Sequence, residues 1–253
     1  MVVPMPFTAL LFSGGLDSVA MALILVAKGH EVEPVYCSHR HGGNVTKKEV
    51  MAASYLAPKI TGRELVVVKA PTKDERWWED ASDQLLHTNA GKRGALPVPK
   101  ESKSKRNQRM VRACREVGIL DEVDHLALGI LGVEGELEFS TKEERDFDKA
   151  RVRDITHEDL ERACKLPGGF LITPSSLGLV GKTDLLKAVG RGKRAREACF
   201  DSDSCLMYFN KPCGDCASCK ARVQAFMSAW GRDETVYRKG TFAARHKRKR
   251  GSR

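Results

Sequence analysis

The sequence predicts an α/β fold, in which a Rossmann-like parallel sheet carries helices on both faces and a small C-terminal helical subdomain follows. Three observations predict it. Short β-branched apolar runs alternate with amphipathic stretches, which is typical of a parallel sheet with crossover helices. A glycine turn joins the first apolar run to the first amphipathic stretch, and four cysteines cluster near the C-terminus.

The predicted strands follow one another at intervals along the chain, at 7–12, 30–41 (ending near Cys37), 64–70, 125–131 and 168–174. Helices are predicted at 18–29, with Ser18 as the N-cap residue, at 46–62, at 106–118 and at 181–190. Pro58 is expected to kink or end the second helix, and Gly190 to end the fourth. The pattern divides the chain into an α/β domain (1–195), a cysteine subdomain (196–237) and a basic tail (238–253).

Composition is that of a globular protein, with 42% hydrophobic and 30% charged residues in 253. The longest apolar run, at 19–27, is too short to span a bilayer, and residues 1–6 lack the basic start of a secretory signal. We therefore expect no membrane association and a cytoplasmic protein. In that compartment, the eight cysteines are thiols or metal ligands rather than disulfides.

Most of the net charge of +10 comes from the tail, since residues 238–253 hold eight Lys and Arg and no acid. The tail has no apolar periodicity, and we expect it to be disordered and solvated. Contact with nucleic acid through it is the less favoured interpretation. A second basic cluster, at 92–115, is either a lid over anionic ligands or a solvated loop.

Residues 13–18, Ser-Gly-Gly-Leu-Asp-Ser, predict a phosphate-binding loop. They lie between a strand and a helix, where the small glycines let backbone N–H groups close on an anion and the helix N-terminus adds positive charge. No lysine follows the glycines, so the loop is not of the Walker type. The alternative is an ordinary turn between strand and helix.

This loop resembles the pyrophosphatase loop of the adenine nucleotide alpha hydrolase group, which cleaves ATP to AMP and pyrophosphate. The resemblance implies that Asp17 helps to hold Mg²⁺ on the phosphates, as suits a hard cation. It also implies an ATP site that the following residues line: Leu11, Phe12, Ser13, Gly14, Gly15, Leu16, Asp17 and Ser18.

The C-terminal cysteines predict a structural zinc site. Cys213, Cys216 and Cys219 form a CxxCxxC motif, and Cys205 precedes it by eight residues. Four thiolates make a closed tetrahedral Zn²⁺ site that stabilises the fold. Cys199 is the alternative fourth ligand, and an iron–sulfur cluster is the alternative group. Cys37, Cys114 and Cys164 have no partner motif and are expected to be packing residues.

Together, the two motifs resemble the 7-cyano-7-deazaguanine synthase family. Arg40-His41, Arg106-Asn107 and Thr173-Pro174 followed by Lys182 resemble further segments of that family. The chain departs from it at 36–39, at 96–107 and at 132–146, where the family's substrate loop has no clear counterpart. The ATP site and zinc are therefore inherited more firmly than the nucleobase substrate.

The resemblance implies that a 7-carboxy-7-deazaguanine-like carboxylate is adenylated by ATP and then amidated by ammonia toward the nitrile. Asp17, Lys182 and Arg106 are the candidate catalytic residues, and Arg40 and His41 are candidate contacts to the nucleotide. The alternatives are a divergent paralogue in antiphage defence, an ATP-dependent tRNA thiolase and a non-enzymatic nucleotide-binding module. The acceptor, the ammonia source and the oligomeric state, with a homodimer as one option, stay open.

Overall fold

The computed structural model describes residues 4–38, 44–69, 103–131, 157–203, 205 and 211–248. The strands are β1 (Phe7–Leu11), β2 (Glu31–Ser38), β3 (Val66–Lys69), β4 (His125–Leu128) and β5 (Leu171–Ile172). The helices are α1 (Leu16–Ala27), α2 (Asn44–Thr61), α3 (Lys103–Glu116), α4 (Ile119–Glu122), α5 (His157–Cys164), α6 (Lys182–Val189), α7 (Lys193–Asp201), α8 (Ala217–Trp230) and α9 (Phe242–Arg248).

The five strands form one parallel sheet in the order β3-β2-β1-β4-β5. After β3 the chain crosses to the other side of β1, so the order reverses between β1 and β4. In open α/β sheets, ligands bind at the carboxyl ends of the strands beside such a switch point. This position belongs to the residues that follow β1 and β4.

Helices cover both faces of the sheet, as predicted. One face packs Leu10, Phe12 and Val32 against α1, α2 and the α6–α8 helices. The other packs alternate strand residues, such as Leu11 and Leu128, against α3 and α5. Because successive side chains on a strand point to opposite faces, the unbroken apolar runs of the sequence fill both layers.

Two local predictions are corrected. The first helix begins at Leu16, with Gly15 as its N-cap residue, rather than at Ser18. The Ser18 hydroxyl turns back into the preceding loop instead of capping the helix. Helix α2 continues past Pro58 to Thr61. The backbone hydrogen bond that Pro58 removes belongs to the exposed residue Ser54, where water can replace it.

The prediction of a disordered tail is wrong for part of its length, because α9 forms from Phe242 to Arg248. This segment docks on the cysteine subdomain. The Ala243 amide donates to the Gly214 carbonyl oxygen at 3.0 Å, and the Phe242 amide donates to Asp215 Oδ1 at 2.8 Å. Ala243 is fully buried. The apolar residues at 242–243 make this contact, which the high charge of the tail did not predict.

Across the described parts of the chain, every helix is too short or too polar to cross a membrane.

Candidate functional site

The loop from Ser13 to Ser18 follows β1 at the switch point and closes on itself through the two serine hydroxyls. The Ser13 amide donates to Ser18 Oγ at 3.2 Å, and Ser18 Oγ donates to the Gly15 carbonyl at 3.0 Å. The Gly15 amide reaches Ser13 Oγ at 3.3 Å. These bonds hold the turn in a fixed shape directly before the N-terminus of α1, where unpaired N–H groups favour an anion.

Gly14 and Gly129 allow the backbone to pack closely around this loop. Gly14 has φ +72°, and a Cβ there would lie 2.7 Å from the Ala53 amide nitrogen of α2. Gly129 follows β4, and its Cβ would lie 2.9 Å from Asp17 C and from Ser18 N. Only glycine fits either position without a shift of the backbone. The sequence analysis missed Gly129, although a glycine after a buried strand is a signal of close approach.

Asp17 and Lys182 meet beside the loop. Asp17 lies in the first turn of α1, and Lys182 is the first residue of α6. Lys182 Nζ lies 2.5 Å from Asp17 Oδ2, and both side chains are largely buried. Asp17 Oδ1 is also buried, and the described residues offer it no hydrogen-bond partner. A buried carboxylate oxygen without a donor is suited to a hard cation.

The remaining predicted loop residues have defined places. Leu11 ends β1, and Phe12 is buried in the core. The Phe12 amide donates to Val35 O at 2.8 Å, which carries the pairing of β1 with β2 up to the loop. Leu16 is buried at the start of α1.

Three predicted residues are not brought to this site by the described structure. Arg106 lies in the first turn of α3, and its side chain falls outside the described part. Arg40 and His41 lie outside the described residues, as does the 92–102 part of the second basic cluster. Thr173 and Pro174 follow β5, where Thr173 Oγ1 and Ser175 Oγ share a 2.8 Å hydrogen bond.

The four cysteines singled out by their spacing converge. The sulfur atoms of Cys205, Cys213, Cys216 and Cys219 all lie within 4.8 Å of one another. Cys213 and Cys219 are 3.9 Å apart at sulfur. A single tetrahedral ion with metal–sulfur bonds of about 2.3 Å separates its sulfurs by about 3.8 Å. The cluster therefore has the size of a mononuclear metal site.

Close packing keeps the thiols of the cluster protonated when no cation is present. Hydrogen bonding with Cys205 raises the pKa of Cys216 to about 12 and raises that of Cys219. Thiols packed this closely cannot all ionise unless a positive charge is added. Cys199, the alternative ligand, is not part of this group. It is fully buried in the core, and burial raises its pKa to about 12.

The other cysteines pack as expected. Cys37, Cys114 and Cys164 are buried in one apolar cluster between the sheet and the helices of its second face. Cys37 Sγ lies 3.9 Å from Cys114 Sγ and 3.7 Å from Met110 O. Cys37 belongs to the face of β2 that packs on α3, whereas α1 and the start of the phosphate loop pack on the opposite face.

Two residues that the sequence analysis did not single out join the loop to the cysteines. Asp203 donates its backbone N–H to Gly14 O at 2.9 Å. Lys48 Nζ lies 2.7 Å from Asp203 Oδ2 and donates to Cys205 O at 3.0 Å. Neither residue stands in a motif, since Lys48 is one of several charges in a helix and Asp203 lies between two elements.

The chain matches no family model and no curated protein. Among solved structures it is similar to a predicted tRNA methyltransferase subunit from Methanocaldococcus jannaschii, at 19% identity and TM-score 0.37 over 76% of this chain and 75% of that one. It is also similar to the U34-tRNA thiolase NcsA from Methanococcus maripaludis, a structure with a [4Fe-4S] cluster. That similarity has 13% identity and TM-score 0.38 over 78% of this chain and 65% of that one.

A third similar structure is the NMN synthetase from Francisella tularensis, at 12% identity and TM-score 0.30 over 77% of this chain and 82% of that one. Similarity at these values does not assign an activity. The fold class rests on the strand order and helix layers of this chain.

Proposed function

We propose that this chain is an ATP-dependent enzyme that binds ATP at the Ser13–Ser18 loop and transfers AMP to an acceptor, with release of pyrophosphate. The observation that carries the proposal is the Asp17 carboxylate. One of its oxygens pairs with Lys182, and the other is buried without a partner among the described residues. Both lie at the switch point of the sheet, beside a loop built to receive an anion.

The residues have distinct roles in this reaction. The acceptor oxygen attacks the α-phosphorus, and the bond from that phosphorus to the bridging oxygen of pyrophosphate breaks. Backbone N–H groups at the start of α1 and the ammonium of Lys182 stabilise the negative charge on the departing pyrophosphate. Asp17 would hold Mg²⁺, and the bound ion would supply positive charge to the phosphates. Arg106 is proposed as a further cation for the phosphates.

The proposed acceptor is the carboxylate of a 7-deazaguanine. A carboxylate is a poor electrophile, and the adenylate makes its carbonyl carbon reactive. Ammonia then attacks that carbon, and AMP leaves with the electron pair of the C–O bond to give an amide. A second adenylation, at the amide oxygen, allows loss of AMP and a proton to form the nitrile. Support comes from the spacing of the phosphate loop, of Thr173-Pro174 and Lys182, and of the cysteines.

Zinc is the proposed metal of the cysteine cluster. The 3.9 Å separation of the Cys213 and Cys219 sulfurs fits one tetrahedral ion. A cluster of four irons is larger than one ion and would need the thiolates to stand further apart. Four cysteine ligands leave no position for water, so the proposed role of zinc is structural rather than catalytic.

The acceptor is tested by incubating the protein with Mg²⁺, ATP, ammonia and 7-carboxy-7-deazaguanine, and by reading the products by mass. We expect AMP together with the amide and then the nitrile. AMP formation with an unchanged acceptor would overturn the deazaguanine assignment and retain adenylation. Sulfur transfer to tRNA, with tRNA as acceptor and sulfide in place of ammonia, would favour the thiolase alternative. ATP binding without any AMP would favour the non-enzymatic module.

A further inference from the structure

The phosphate loop and the cysteine cluster are joined by a short chain of polar contacts, which the proposed chemistry does not use. Asp203 stands at its centre. Its backbone N–H donates to Gly14 O at 2.9 Å, and its Oδ1 accepts from the Cys205 amide at 3.0 Å. A single residue therefore touches the loop that would hold ATP and the residue that supplies one sulfur of the cluster.

Lys48 closes this chain of contacts from α2. Its ammonium lies 2.7 Å from Asp203 Oδ2 and donates to Cys205 O at 3.0 Å. The Lys48 and Asp203 side chains are only 14% and 19% exposed, so solvent screens the pair less than an ion pair on the surface. The pair fixes the main chain of Cys205 on both its N–H and its carbonyl side.

The preceding residue is fixed from the cysteine subdomain as well. Arg222 belongs to α8, the helix that begins after Cys216 and contains Cys219. The residue is 1% exposed, and its guanidinium donates to Ser202 O at 2.7 Å and to Ser202 Oγ at 2.8 Å. Asp203 is thus held on one side by Ser202 and on the other by Cys205. Ser202 is held by the helix that contains Cys219, and Cys205 is itself a member of the cysteine cluster.

We propose that Asp203 and Lys48 are positioning residues that couple the cysteine cluster to the phosphate loop, so that zinc bound at the cysteines raises the affinity of the loop for ATP. The proposal rests on the proposed ATP site. Zinc bound by the four sulfurs would hold Cys205 in place, and Cys205 in turn holds Asp203 through the hydrogen bond to its carboxylate. The backbone N–H of Asp203 then holds the carbonyl of Gly14. Gly14 has φ +72° and packs against α2, so the loop shifts when that carbonyl loses its partner.

Coupling of this kind is reciprocal, because the two ligands share one free-energy cycle. If zinc tightens ATP binding by a given factor, ATP tightens zinc binding by the same factor. Coupling between sites is typically 5- to 150-fold, and we expect about tenfold here.

The test measures the Kd of Mg-ATP for the full chain with and without Zn²⁺, and the ratio of the two is the coupling factor. In the wild type we expect a factor of about ten. Lys48→Met and Asp203→Asn should retain zinc and lower the factor toward one, and Lys48→Arg should restore it. Glu197→Gln is the matched control, because it removes a carboxylate from an exposed pair with Lys193 on α7.

The outcomes separate the possible explanations. If Lys48 binds phosphate directly, Lys48→Met weakens ATP binding equally with and without zinc, and the proposal is overturned. A wild-type factor of one also overturns it and leaves the ATP site standing. Absence of ATP binding to the zinc-loaded wild type overturns both the coupling and the proposed function. Zinc affinity, measured by chelator competition in excess Mg²⁺, should rise about tenfold with ATP in the wild type, in Lys48→Arg and in Glu197→Gln, and should not change with ATP in Lys48→Met or Asp203→Asn.

Discussion

Replacing Gly129 with alanine tests how closely the carboxyl end of β4 packs on the phosphate loop. The new Cβ would stand 2.9 Å from Asp17 C and Ser18 N, about half an ångström inside the 3.4 Å at which ordinary contact begins. Both contacts are backbone atoms, so a side-chain rotation cannot relieve them. Overpacking of this kind costs about 1–3 kcal/mol of folding stability. In a chain of this size, that lowers Tm by roughly 2 to 12 °C.

The same shift should weaken nucleotide binding, since it moves the peptide that carries Asp17. The phosphates of ATP would meet a displaced loop, so we expect ATP affinity to fall in Gly129→Ala. Gly168→Ala is the matched control, because a Cβ there meets nothing within 4 Å and its φ is unrestricted. Calorimetric unfolding and ATP titration measure the two effects. Equal Tm and equal ATP affinity in the two variants would refute the close packing described here.

Three further results are expected. Cys216→Ser should lose the single zinc. With free zinc a hundredfold above its Kd, thermal unfolding should show a loss of about 2.7 kcal/mol of stability. Cys199→Ser should retain zinc, because Cys199 is not a ligand. Burial, together with the charges of His125 and Lys28, lowers the pKa of His30 below 6.5. The unfolded chain therefore binds more protons than the folded chain, and urea unfolding should show stability falling as pH drops below about 6.5. The fall should be less steep in His30→Gln. Lys239→Ala with Arg245→Ala should leave AMP formation unchanged, and a salt-dependent loss would indicate a nucleic-acid acceptor.

The sheet was predictable because its signals are local. Apolar runs of the right length and the glycines around them determine which segments become strands and on which faces helices pack. The strand lengths were overestimated, since β5 is only Leu171–Ile172 within a predicted 168–174. Backbone pairing ends where no neighbouring strand continues, and the sequence of one segment does not contain that information.

The candidate site was predictable where chemistry lies in a motif. The loop from Ser13 to Ser18 and the four cysteines each carry their own spacing. Asp203, Lys48 and Gly129 were not found, because each acts through a contact between segments far apart in the chain. The tail prediction went wrong for a related reason. The high charge of the tail predicted disorder, but the burial of Ala243 against the cysteine subdomain depends on tertiary packing.

Asp17 and its loop form the proposed ATP pyrophosphatase site. The most direct measurement is product analysis of ATP turnover in Mg²⁺ with a carboxylate acceptor, for the wild type and for Asp17→Asn, with circular dichroism to confirm an intact fold. We predict AMP and pyrophosphate in equal amounts and a loss of about a hundredfold in the variant, because a carboxylate that holds the metal is removed. Formation of ADP and phosphate, or full turnover by Asp17→Asn, would contradict the claim.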